Sequence, residues 1–128
     1  MFPDLVVLIV EDEAFLRYSM AYALRGEGWL ILEASSGEEA VAYLNAGEKI
    51  DIVFTDIMLG GLLSGWDVAD AFRSTRSEIP IIYTSGNAVD RSRQVKDSQF
   101  FQKPYDPSAV VKACRQIGDG RSGTADAE

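Results

Sequence analysis

Residues 5–10 read Leu-Val-Val-Leu-Ile-Val with no polar interruption. Such a run is too short to cross a membrane. A strand with one wet face would alternate apolar with polar residues, so this run predicts a strand covered on both sides, as in a parallel sheet packed between helices. The rest of the chain repeats the theme. A helix from about Ala14 to Glu27 puts Leu16, Met20, Ala23 and Leu24 on one stripe, and Gly26 and Gly28 bracket its end. Leu30 to Ala34 is a second short strand. Ser36-Gly37-Glu38-Glu39 is a capping box opening a helix to about Ala46. Ile50 to Thr55 is a third strand, entered through Asp51.

A glycine-rich loop, Gly60 to Gly65, leads into a helix from about Trp66 to Arg76, with Val68, Ala69 and Phe72 facing the core. Pro80 starts a fourth strand, Ile81 to Thr84. Ala88 to Lys96 is polar and reads as a short or poor helix, and Arg91, Arg93 and Lys96 in it read as a solvated face. Phe100 to Gln102 is a brief fifth strand. Asp106-Pro107 is an N-cap followed by a first-turn proline, opening a last helix to about Ile117 with Val110, Val111, Cys114 and Ile117 on its buried stripe. One domain over residues 4–117 is therefore expected, with a polar, glycine-rich tail over 118–128 that lacks fixed structure.

The 128-residue length suits a single domain. A formal net charge of −8 argues against a protein that grips nucleic acid through its phosphates. The only cysteine, Cys114, lies on a buried stripe and reads as core, and no internal disulfide is possible. Histidine is absent, which excludes a Ser-His-Asp triad, a His-ligated zinc site and a phosphohistidine of the chain's own. No basic segment precedes the first apolar run, so residues 1–4 do not read as a signal peptide. No transmembrane span is expected, and the expected location is cytoplasmic. Met1 and the loose tail favour a stand-alone chain.

Five strands alternating with helices imply a doubly wound α/β sheet with helices on both faces, in the Rossmann-half order or the flavodoxin-like order 2-1-3-4-5. Sites in such sheets form where strands end. Strand one ends in Glu11-Asp12-Glu13, strand three in Asp56, strand four in Thr84-Ser85-Gly86 and strand five in Lys103-Pro104. Strand two ends in the bland Ala34-Ser35. In the flavodoxin-like order strands one, three, four and five are neighbours, so their ends converge. Carboxylates, a hydroxyl and an ammonium at one mouth suit phosphoryl transfer: hard oxygen ligands for Mg²⁺, a carboxylate nucleophile, and cationic charge to offset the moving phosphoryl group.

Val10-Glu11-Asp12-Glu13, Thr55-Asp56-Ile57, Tyr83-Thr84-Ser85-Gly86 and Lys103-Pro104-Tyr105 together resemble the signature set of bacterial two-component response-regulator receiver domains, the CheY-like family, in order and approximate spacing along residues 5–117. The resemblance implies the flavodoxin-like order and a single-domain phosphorylation switch. It implies that Asp56 accepts a phosphoryl group from the phosphohistidine of a sensor histidine kinase or histidine phosphotransferase. Glu11 and Asp12 correspond to the acidic pair that holds Mg²⁺, Asp12 directly and Glu11 through water, with the Met58 backbone carbonyl as a third protein ligand. Lys103 corresponds to the phosphate-pairing lysine, Ser85 to the conserved hydroxyl and Phe100 to the aromatic switch. No other cofactor is implied, nor turnover of a separate substrate. Output runs through protein contacts, from a monomer or weak dimer. A phosphate relay or sink, or the receiver portion of a hybrid histidine kinase, is the alternative.

Three features depart from the family pattern. Gly60 stands where proline is usual, and its loop is one residue longer. The stretch from Ser85 to Lys103 is several residues shorter, so the helix expected there is stunted. Phe100 lacks the hydroxyl of a tyrosine. Other readings fit less well. A phosphatase with an Asp nucleophile would carry a second acid where Met58 stands, and a flavin phosphate would be repelled by the acids after strand one. A receiver that has lost phosphorylation would not retain Glu11, Asp12, Asp56 and Lys103. Taken alone, residues 11–13 would read as a negative first helical turn. Trp29 and Trp66 read as partial core.

Overall fold

The computed structural model describes residues 5–126. Its five strands are β1 (Val6–Val10), β2 (Leu30–Ala34), β3 (Ile52–Asp56), β4 (Ile81–Ser85) and β5 (Gln99–Gln102). They form one all-parallel sheet in the order β2-β1-β3-β4-β5. Four α-helices cross over it: α1 (Ala14–Arg25), α2 (Gly37–Asn45), α3 (Gly65–Thr75) and α4 (Pro107–Asp126). The flavodoxin-like order expected above is therefore the one found.

The period-2 pleat of β1 explains its unbroken apolar sequence. Val7 and Ile9 point into one core layer with Met20, Leu24, Val110 and Cys114, from α1 and α4. Leu8 and Val10 point into the other with Ala40, Val68, Ala69 and Phe72, from α2 and α3. Every residue of β1, β3 and β4 is buried. Trp66 is buried with its ring 4.7 Å from that of Tyr83, and Trp29 packs at the edge of the first layer. The entry of β3 is pinned by the buried Asp51, whose carboxylate accepts the Val6 N–H at 2.8 Å.

Element ends differ from the sequence reading in ways with physical causes. α1 stops at Arg25, two residues before Glu27, because the chain turns at Gly28 with φ of 86°. β3 and β4 each run one residue further, onto Asp56 and Ser85, because the ladder continues through Asp56↔Thr84 and Ser85↔Gln102. Ser36 caps α2 by accepting the Glu39 N–H at 3.0 Å, but the Glu39 carboxylate reaches back to the Ser35 N–H rather than to Ser36. Between β4 and β5 the only helical turn is a 3₁₀ turn at Arg91–Arg93.

α4 does not end near Ile117. It continues to Asp126, through the stretch expected to lack fixed structure. Gly118 allows this, since it packs on the buried Leu5 so closely that a Cβ there would lie 3.1 Å from Leu5 Cδ1. Asp4, and residues 127 and 128 of the expected tail, lie outside the described residues. No helix among the described residues is long and apolar enough to cross a membrane.

Candidate phospho-acceptor site

The carboxyl ends of β1, β3, β4 and β5 open onto one mouth. β1 ends at Val10, and the next two side chains are Glu11, buried, and Asp12, exposed. Asp56 is the last residue of β3 and is 7 % exposed. Lys103 follows β5, and its ammonium donates to Asp56 Oδ2 at 2.9 Å and to Glu11 Oε1 at 3.0 Å. Glu11, Asp12 and Asp56 each offer a carboxylate oxygen within 4.8 Å of the others.

Local bonds fix these groups. The Glu11 N–H donates to the Ala34 carbonyl at 3.0 Å, and the Glu11 carbonyl accepts from Arg17 Nη1 at 2.9 Å. Arg17 also pairs with Glu33 of β2 at 3.2 Å, so α1 and β2 together hold the backbone of the acidic pair. The Glu11 carboxylate accepts the Glu13 N–H at 3.1 Å. Glu13 is the N-cap residue of α1 and α1 has no acid in its first turn, so of the acidic run Glu11 and Asp12 belong to the mouth.

The electrostatics follow from the crowding. Burial raises the Glu11 pKa, the nearby Asp56 charge adds to that, and hydrogen bonds from the Glu13 N–H and Lys103 only partly offset it. Burial works against the Lys103 ammonium, but its bonds to Asp56 and Glu11 outweigh that and hold its pKa above the ordinary lysine value. Three hard oxygen donors, one facing solvent, fit a small divalent cation that keeps several waters. A carboxylate at the rim of a strand, beside a fixed ammonium, is placed to act as a nucleophile.

The loop between β3 and α3 is folded tightly over this mouth. The Met58 N–H donates to Asp56 Oδ1 at 3.3 Å, while the Met58 side chain is exposed. A Cβ on Gly60 would lie 3.0 Å from Asp12 Oδ2, and one on Gly61 would lie 2.6 Å from Glu38 Oε1. Both glycines thus lie close to carboxylate tips, those of Asp12 and Glu38, which a larger residue at either position would have to displace. At the far end, the Gly65 N–H donates to the Ile57 carbonyl at 2.8 Å, and a Cβ on Gly65 would fall 2.2 Å from the Asp56 carbonyl oxygen.

Two expected switch residues stand apart from Asp56. The Ser85 hydroxyl is buried and engaged in its own turn, accepting the Asn87 N–H and donating to the Asn87 carbonyl, each at 3.2 Å. Phe100 is half-buried on the second core layer, with the Arg91 guanidinium 3.9 Å from its ring centroid. Arg93 bonds Asp67 at 3.1 Å and Asp70 at 2.7 Å, so the shortened segment is tied to α3. Arg91, Arg93 and Lys96 are exposed, as expected of a solvated face, and Arg91 and Arg93 make these tertiary contacts as well. Glu38 and Arg17 are not marked by the sequence, because the fold brings them to Leu62 and Glu33, 24 and 16 positions away, whereas Asn87 acts locally, on the Ser85 hydroxyl two residues before it.

The family model for the response regulator receiver domain matches residues 7–115. A response regulator receiver protein from Sinorhizobium medicae is 34% identical, with a TM-score of 0.86 over 91% of this chain and 96% of that one. The receiver domain of the hybrid histidine kinase CckA is 30% identical, with a TM-score of 0.72 over 88% of this chain and 97% of that one. Among curated proteins, the probable transcriptional regulatory protein TcrX of Mycobacterium tuberculosis is 32% identical over 87% of this chain. This chain spans about half the length of such relatives, 48% in the case of TcrX.

Proposed function

This chain belongs to the family of response regulator receiver domains of two-component systems, and from that premise we propose that it is a phosphorylation switch whose acceptor is Asp56. The observation that carries this reading is the set of three carboxylates within 4.8 Å of one another, two of them bridged by a single lysine.

An Asp56 oxygen attacks the phosphorus of a phosphohistidine on a partner protein. The new O–P bond forms as the N–P bond breaks, and the departing imidazole keeps the bonding electron pair. Lys103, already 2.9 Å from Asp56, pairs with the transferred oxygens. Glu11, Asp12, Asp56 and the Met58 carbonyl would hold Mg²⁺, which when bound offsets the negative charge gathered by carboxylate and phosphoryl group. The Ser85 hydroxyl then leaves Asn87 for a phosphoryl oxygen. That turn frees space beside β4, and Phe100 moves into it from beneath Arg91. The protein thereby modifies itself and turns over no separate substrate.

The partners in this reading are proteins: a sensor histidine kinase or histidine phosphotransferase as donor, and a receiver of the signal at the β4–β5 surface. The α1 face beside the mouth presents Phe15, Tyr18 and Tyr22 to solvent, which suits a protein surface better than a small charged donor. The net charge of −8 disfavours direct contact with nucleic acid by this module. The natural setting for such transfer is the cytoplasm. Electrophoresis in a phosphate-retarding gel, after exposure to acetyl phosphate with Mg²⁺ or with EDTA, tests the reading. A retarded band only with Mg²⁺ is expected, and no retardation in either condition would refute it.

A further inference from the structure

We propose that Glu38, in the first turn of α2, is the positioning residue for the loop that carries the Met58 carbonyl, and so sets how tightly the mouth holds its cation. This rests on the metal-dependent acceptor reading above. Residues 57–65 lack the proline expected to stiffen this loop and carry two adjacent glycines instead. Such a segment has more backbone freedom to lose on ordering, so its position must be fixed from outside.

The first turn of α2 does this. Glu38 Oε2 accepts the Leu62 N–H at 2.9 Å. Gly61 lies flat against the same carboxylate, where a Cβ would meet Oε1 at 2.6 Å and Oε2 at 2.9 Å. One residue earlier, Gly37 sits on Leu63, where its own Cβ would come within 2.8 Å of Leu63 Cβ. On the opposite side of the glycine pair, Gly60 rests on Asp12 Oδ2. The glycine pair thus lies between the Glu38 carboxylate, which bonds the loop, and the Asp12 carboxylate, which lies beside it. α2 is itself anchored by its Ser36 cap and by Ala40 in the core. Leu59 packs on the second core layer and the Gly65 N–H closes the loop on the Ile57 carbonyl, but Leu62 between them is 93 % exposed, so at the tip of the loop the backbone bond to Glu38 is the anchor.

The test compares wild type, Glu38→Ala and Glu38→Gln. Glutamine keeps an acceptor oxygen without the charge, which separates positioning from simple electrostatics. In EDTA, the Leu62 amide should exchange about five- to tenfold faster in Glu38→Ala and at the wild-type rate in Glu38→Gln. Mg²⁺ titration, followed by melting temperature, should show affinity about three- to tenfold weaker in Glu38→Ala and near wild type in Glu38→Gln. Equal Leu62 exchange in all three proteins would overturn the proposal. So would equal Mg²⁺ affinity in wild type and Glu38→Ala, or a loss in Glu38→Gln as large as in Glu38→Ala. A wild-type protein that takes up no Mg²⁺ would refute the functional reading and the metal half of this one, while the exchange result in EDTA would still decide whether Glu38 holds the loop.

Discussion

The ammonium of Lys103 stands 2.9 Å from Asp56 Oδ2 and shares itself with Glu11, so one cation compensates two buried carboxylates. Its removal leaves both acids facing each other and Asp12. Lys103→Met should therefore lower stability in EDTA at pH 7 by about 1–2 kcal/mol, less than for a fully buried pair because the mouth is open to water. Urea denaturation reads this directly. Added Mg²⁺ should recover more stability in the variant than in wild type, and a variant midpoint at or above that of wild type would contradict the bridging role.

A cation that binds only the folded chain stabilises it by mass action, by about 2.7 kcal/mol at a hundredfold excess over Kd. Wild type should melt higher in Mg²⁺ than in EDTA. Asp12→Ala should abolish that rise, since Asp12 is the member of the acidic cluster that faces solvent. A rise equal to that of wild type would remove Asp12 from the ligand set.

Much of the site was legible because apolar strands stop abruptly at charged residues. The end of β1 at Glu11-Asp12 and the end of β3 at Asp56 meet because β1 and β3 are neighbours in the 2-1-3-4-5 order, which the family resemblance implied and the strand pattern alone left open beside the Rossmann-half order. What escaped the sequence were contacts between elements far apart in the chain. Glu38 and Glu39 read as helix-opening residues, and nothing local marks that Glu38 reaches Leu62, 24 positions away. Arg93 reads as part of a solvated face, and nothing local marks that α3 places Asp67 and Asp70 beside it. The length of α4 was missed because glycines at 118 and 120 read as a stop, whereas Gly118 is the residue that lets the helix lie on Leu5.

Gly65 offers a steric test of how the acceptor is placed. A methyl group there would sit 2.2 Å from the Asp56 carbonyl oxygen and 2.8 Å from Ile57 Cα, both rigid backbone. Gly65→Ala should cost about 3 kcal/mol or more, a large value for a single methyl and diagnostic of overpacking. Thermal unfolding measures it. A melting temperature within a degree or so of wild type would mean that the β3–α3 junction is not as tight as described.

The pH dependence of stability carries a signature of Cys114. Burial pushes its thiol from about 9 up to about 12. Between those values the unfolded thiol ionises while the folded one keeps its proton, so the unfolded chain binds fewer protons and stability falls as pH rises. The slope from this group is at most about 1.4 kcal/mol per pH unit. Tyr105, raised by burial from 10.0 to about 12, adds to the fall only above pH 10. Urea unfolding at pH 8, 9 and 10 should therefore give a steeper decline for wild type than for Cys114→Ala. Parallel declines would contradict the burial of the thiol.

Asp56 is the group on which the proposed switch turns, and intact-protein mass spectrometry tests it most directly. Wild type and Asp56→Asn are each incubated with acetyl phosphate and Mg²⁺ and weighed without digestion. The expected result is one phosphate adduct on wild type, none in EDTA and none on Asp56→Asn. An adduct on Asp56→Asn equal to that on wild type would show that the phosphoryl group goes elsewhere, and would contradict Asp56 as the acceptor.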